Sequence, residues 1–183
     1  MREENKELPE GWRWVKLVDI CEFQYGSSLT ENMRQEGKVP VYGSNGIVGY
    51  HNSPLTSGST IIIGRKGSVG QVHFSDVPCY PIDTTYYIEK IKIPSVLIWL
   101  AYFLKILDLP NLNKASGVPG LNRNDAYKLL LPLPPFPEQQ RIASILQEQL
   151  AAVEKARKAA EEQLEAIKAL PAAILRRAFD GEL

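Results

Sequence analysis

The sequence predicts an α+β protein: a mostly β domain with a few packed helices, followed by a long C-terminal helix of the coiled-coil type. Three observations carry this expectation. Up to about residue 137 the chain is a series of short runs rich in Val, Ile and Tyr, punctuated by glycine and proline, the pattern of strands separated by turns. One stretch in that region, "PSVLIWLAYFLKIL" at 94–107, has the apolar length of a buried helix. Beyond it glycine and proline become rare and apolar residues recur every seven positions. The predicted domains are therefore 1–137 and 138–183.

Taken in order, "WRWVKLVDICEFQYG" (12–26) reads as a strand, a short helix and another strand. "KVPVYGS", "GIVGYHN", "STIIIGRKG", "GQVHFS" and "DTTYYIEK" read as five successive strands, since β-branched and aromatic residues fit a pleated, half-buried surface. The helix at 94–107 opens on Pro94, which suits a first helical turn because its missing N–H would have no partner there. "NLNKASGVPGLNRNDAYKL" (111–129) is a polar, glycine-containing loop leading into a helical turn, and "LLLPLPPFP" (129–137) an extended connector stiffened by proline.

From Glu138 to about Leu170 a helix is expected. Leu146, Val153, Ala160, Ile167 and Ile174 fall at seven-residue intervals, and Leu150 and Leu164 lie four residues after members of that series. Together they form one apolar seam, interrupted by Arg157. Pro171 is expected to kink or restart the helix. Some 33 residues of helix span roughly 50 Å, longer than a domain of this size needs to cover its core. The seam therefore calls for a partner helix, and its dimerisation candidates are Leu146, Leu150, Val153, Ala160, Leu164 and Ile167. The proline connector argues against the helix folding back on its own domain.

A chain of 183 residues accommodates one ordinary domain and an appended element. Lys+Arg and Asp+Glu are equal at 21 each, which argues against nucleic-acid binding by bulk charge alone. Between residues 34 and 75, however, the charged residues are Arg34, Glu36, Lys38, Arg65 and Lys66, so the glycine-rich segments are locally basic. Cys21 and Cys79 lack zinc-ligand spacing and are expected to be reduced. The N-terminus is polar and no apolar run reaches the length of a membrane span, so a cytoplasmic location and no membrane partner are expected.

Several catalytic motifs fail on context. "GRKGSVG" places its basic pair before the second glycine and is followed by a strand, unlike a phosphate loop that opens a helix. "LPPF" (133–136) resembles the adenine-binding motif of amino-methyltransferases, but Leu133 stands where an amide or carboxylate must accept the exocyclic amine. His51 and His73 have no nucleophile or orienting acid at motif spacing. No S-adenosylmethionine pattern is evident, and neither a catalytic constellation nor a metal set is expected.

Taken together, the segments resemble the specificity subunit of a type I restriction–modification system. "LPEGWRWVKLVDICEFQYG" is similar to the family's domain opening, "VPVYGSNGIVGYHN" and "IIIGRKGSVGQV" to its glycine-rich β segments, and "LNRNDAYKLLLPLPPFPEQQRIASIL" to the signature that closes a target-recognition domain and opens a conserved helix. The usual member carries two such domains and two helices, paired antiparallel; here there is one of each. The resemblance thus implies a half-length form, 1–137 reading DNA and 138–183 serving as spacer and dimerisation region. A homodimer would carry identical reading heads at opposite ends.

The resemblance further implies that the loops present Tyr42, Ser44, Asn45, Arg65, Lys66 and Ser68 to a groove of double-stranded DNA, with Lys114, Ser116, Asn122 and Arg123 adding contacts. Arginine and lysine suit guanine edges, and asparagine suits adenine. It implies a non-catalytic chain without cofactor, S-adenosylmethionine and ATP belonging to a methyltransferase (M) subunit and a restriction/translocase (R) subunit. The implied target is an inverted-repeat bipartite site. Two alternatives stay open: a stand-alone dimeric DNA-binding regulator, and a non-productive remnant of a tandem specificity gene. A nucleotide-binding enzyme is disfavoured by the motif contexts.

Overall fold

The computed structural model describes residues 7–112 and 120–182. Strands β1 (Arg13–Lys16), β2 (Gln24–Tyr25), β3 (Val39–Gly43), β4 (Gly46–His51), β5 (Thr60–Gly64), β6 (Val72–Ser75), β7 (Tyr80–Pro81), β8 (Thr85–Ile88) and β9 (Leu130–Leu133) accompany helices α1 (Leu17–Ile20), α2 (Leu97–Ile106), α3 (Arg123–Tyr127) and α4 (Phe136–Phe179). The strands form three sheets of order β1-β9, β2-β8-β5-β6 and β4-β3-β7, in which only the β3/β7 pair is parallel. The expected α+β architecture, mostly β and then a long helix, is what the chain adopts. Met1–Ala143 and Ser144–Leu183 form two compact units.

The run Thr60-Ile61-Ile62-Ile63-Gly64 explains how the first unit is layered. Successive side chains of a strand point to opposite faces, and every residue of β5 is buried. Ile61 and Ile63 join the main core with Leu17, Ile20, Phe23, Ile88, Leu100 and Leu104. Ile62 faces the other way, into a small cluster with Tyr42 and Cys79. A strand covered on both faces needs no polar alternation. Each such aliphatic side chain contributes about 1.5–3 kcal/mol on burial.

Four expectations need correction. Residues 129–137 are not a free connector: Leu130–Leu133 pairs antiparallel with β1, Arg13 opposite Leu133 and Lys16 opposite Leu130, and buries Leu131 and Leu133. Pro132 is tolerated because a two-stranded ladder leaves each strand an open side. Pro94 lies outside α2, which begins at Leu97. The start is set by Gln139, whose Oε1 accepts from the Val96 N–H at 2.9 Å and the Ser95 hydroxyl at 2.6 Å.

Helix α4 starts at Phe136, and its early residues Gln139 and Ala143 are buried within the first unit, so the prolines do not hold this part of the helix away from the β domain. Pro171 neither ends nor restarts α4, which continues to Phe179. Proline there removes one hydrogen bond to Ile167, and in an exposed helix water can satisfy that carbonyl. Two-residue strand β7, with its proline, was not anticipated.

Candidate nucleic-acid interface

The β3–β4 hairpin reverses at Ser44 and Asn45. Both keep negative φ, and Gly46 at φ 115° completes the reversal, a conformation open to glycine because it has no Cβ. The β5–β6 connection curls back on Gly64, whose N–H donates to Gln71 O and whose carbonyl accepts from the Gly70 N–H, each at 2.8 Å. The two glycine-rich segments meet: His73 Nε2 lies 3.2 Å from Ser44 O, and a Cβ on Gly67 would stand 3.3 Å from Ser44 Oγ. They form one surface, and residues 120–121 join it, since the Leu121 N–H donates to Arg65 O at 2.9 Å.

Gly64 sets this loop. A Cβ there would stand 2.0 Å from Ser68 O and 3.1 Å from Ser44 O, both backbone atoms that cannot swing aside. Gly64→Ala is therefore expected to displace the 65–71 loop and cost about 1–3 kcal/mol by overpacking. Thermal unfolding beside Gly58→Ala, which has open space around it, checks this: Gly64→Ala should melt several degrees lower and the control should not.

A charged and aromatic cluster beside these loops is assembled from distant parts of the chain. The Arg65 and Arg123 guanidinium carbons lie 5.4 and 5.3 Å from the centroid of the Tyr25 ring. Tyr86 and Tyr127 extend the cluster, each 5.9 Å from one of the two guanidiniums. Tyr25 meets Tyr86 edge-on at 5.0 Å, and Phe23 packs against Tyr86 and Tyr127 at 5.7 and 5.4 Å. Burial, then the neighbouring Tyr25, pushes the Tyr86 phenol up to about 12. It stays neutral and donates to Leu121 O at 3.2 Å.

The predicted contact residues divide. Asn45 and Lys66 are exposed, and Ser44, Arg65, Ser68 and Arg123 are half-buried around the joined loops. Tyr42 is a correction: it is 8 % exposed and packs with Ile62 and Cys79, and burial pushes its phenol up. The alternation Val41-Tyr42-Gly43 in a strand covered on both sides leaves it no outward face. Asn122 caps α3, its Oδ1 accepting from the Asn124 and Asp125 N–H groups at 2.8 and 3.4 Å, so its amide oxygen is committed to the fold. Lys114 and Ser116 lie outside the described residues. Tyr25 was missed; no local pattern announces a ring whose partners sit at 65, 86 and 123.

On the second unit, Leu150, Val153, Ala160, Leu164 and Ile167 are exposed, the leucines at 47 % and 50 %, while Leu146 is half-buried. Arg157, within the seam, reaches along its own helix: Nε and Nη2 donate to Glu154 at 2.9 and 2.7 Å and Nη1 donates to Glu161. Its charge is balanced in place. Among the described residues no helix is long and apolar enough to cross a membrane.

Comparison with known proteins spans both units. Residues 9–165 match the sequence profile of the type I restriction modification DNA specificity domain. The type I restriction enzyme EcoDI specificity subunit of Escherichia coli is 24 % identical over 176 residues, 96 % of this chain and 39 % of that protein. The HsdS subunit from Thermoanaerobacter tengcongensis is similar over 100 % of this chain and 48 % of its own, with 27 % identity and a TM-score of 0.64. A chain from a structure of the assembly and conformational transition of the type I R-M system superimposes with a TM-score of 0.74 and 26 % identity, over 98 % of this chain and 48 % of its own. The chain thus spans about half the length of these solved relatives and about two fifths of the curated one.

Proposed function

The chain belongs to the family of type I restriction modification DNA specificity domains, and on that premise we propose that it is the DNA-recognition unit of a type I restriction–modification complex. The observation that carries this is the extent of the match, residues 9–165, which takes in the joined loops, the arginine–tyrosine cluster and the greater part of the seam. In this reading the surface built from Ser44, Asn45, Arg65, Lys66, Ser68 and Arg123 meets DNA, and an M subunit flips and methylates an adenine at N6 with S-adenosylmethionine. An R subunit using ATP cleaves unmodified DNA. The chain supplies the address and partner subunits supply the chemistry.

Two copies pair through α4. The exposed apolar seam supports this, as does a fit between facing residues. In an antiparallel pair whose two-fold axis passes between Lys158 and Ala159, Leu150 of one copy meets Ile167 of the other and Val153 meets Leu164. Arg157 then meets Ala160, whose small side chain leaves room for it. Such a dimer presents two identical recognition units about a two-fold axis, and its target is an inverted repeat with a nonspecific spacer. The test is whether adenine methylation by the M subunit acquires a sequence address only when this chain is present; methylation at the same sequences without it would overturn the proposal.

A further inference from the structure

We propose that Arg65, Tyr25 and Arg123 form a clamp for the phosphate backbone of DNA, which positions the duplex and does not read bases. This rests on the DNA-recognition reading above and assigns a role within it. Among the described residues, neither arginine has a carboxylate within salt-bridge distance; the ion pairs are made by other residues, Lys128 with Asp125 at the end of α3 and the remainder on α4 and near the C-terminus. In a chain whose formal charges sum to zero, two neighbouring positive groups thus have no acidic partner among the described residues.

They are nonetheless held in place. Arg65 Nη2 donates to Asp83 O at 2.5 Å and Arg123 Nη1 to Phe23 O at 3.2 Å. Backbone carbonyls fix the guanidinium planes without cancelling their charge, and the Tyr25 ring lies against both. The negative face of the ring attracts a guanidinium held over it. Ordering the side chains before binding removes an entropic cost from association.

At Arg65 the geometry favours phosphate over base, and Arg123, on the same Tyr25 ring, is placed to serve the same backbone. The guanine edge is read by two parallel donors on O6 and N7. Arg65 has Nη2 engaged, and its Nε is buried without a partner, so Nη1 is the nitrogen left to turn outward. The two N–H groups of Nη1 suit phosphate oxygens. Tyr25, 55 % exposed, supplies a flat wall and a hydroxyl beside it, and phosphate contacts of this kind set register without carrying sequence.

The test uses the complex of the full chain with its M subunit and two fluorescent duplexes of equal length, one containing the methylated site and one scrambled, titrated over a range of NaCl concentrations. Arg123→Gln, Arg65→Gln and Tyr25→Leu should each weaken both duplexes by the same factor. The arginine variants should lower the slope of log affinity against log salt by about one, Arg123→Lys should retain the slope, and the methylated sequence should not change. Altered site preference with an intact slope would overturn the clamp in favour of base reading, and unchanged affinity and slope would make the cluster purely structural. Thermal melting identifies any variant that fails to fold; Arg123→Gln against Arg123→Lys then carries the comparison. A wild-type complex that binds both duplexes equally would sink the recognition reading while leaving the clamp measurable on either, and one that binds neither overturns both.

Discussion

Replacing Leu150 and Leu164 together by glutamate should convert a dimer into a monomer. Both leucines are exposed in the single chain, and pairing through the seam buries each of them twice in the two-fold assembly. Because each is only about half exposed, 47 % and 50 %, four leucines at half of about 1.5–3 kcal/mol each make roughly 3–6 kcal/mol of further apolar burial, which the substitution removes and replaces with charges facing apolar partners. The dimer dissociation constant should rise by at least about a hundredfold, since each 1.4 kcal/mol is tenfold. Light scattering reads the mass directly. The substituted residues lie outside the first unit, so its thermal unfolding should be unaffected. A double variant that stays dimeric would place the interface elsewhere.

The second large effect is expected at Gln139, a buried polar side chain 1 % exposed. Its Oε1 accepts from the Ser95 hydroxyl and the Val96 N–H, and its Nε2 donates to Pro134 O at 2.9 Å. One amide thus ties the start of α4 to the start of α2 and to the end of β9. Gln139→Met keeps the volume and strands three polar groups. At about 1–3 kcal/mol for each unsatisfied buried group, partly relieved by water, the loss should reach about 3–5 kcal/mol. That lowers Tm by roughly 10 °C in a unit of this size. A loss below about 1 kcal/mol, read by denaturant unfolding, would show that the tie is not needed.

How much of this was legible depended on how local the cause was. The β5 run Ile61-Ile62-Ile63 and the heptads of α4 declare themselves, because burial on both faces and burial on one stripe each leave a period in the sequence. Asn122 was legible as well, though as a cap: "NRND" places an amide oxygen before a helical turn with an acid at its third position, and the DNA reading of it set that aside. Strand β9 was hidden by prolines that argue against a central strand, and a two-stranded ladder relaxes that argument. The start of α2 was illegible because its polar partner, Gln139, lies on another helix. The Tyr25 cluster was illegible for the same reason, since Tyr25, Arg65, Tyr86, Arg123 and Tyr127 converge only through the sheet and α3.

The proposed recognition role and the proposed dimer meet in one quantity, the symmetry of the target. Identical recognition units about a two-fold axis can address only a site whose halves are inverted repeats, whereas a regulator working without an M subunit would leave no methylation pattern. The most direct measurement is the adenine methylome of cells expressing this chain with the proposed M subunit, read by single-molecule sequencing. The expected result is one bipartite motif with inverted-repeat halves around a nonspecific spacer, absent when the chain is omitted. An asymmetric motif would contradict the homodimer, and the lack of any chain-dependent motif, with both proteins soluble, would contradict the recognition role itself.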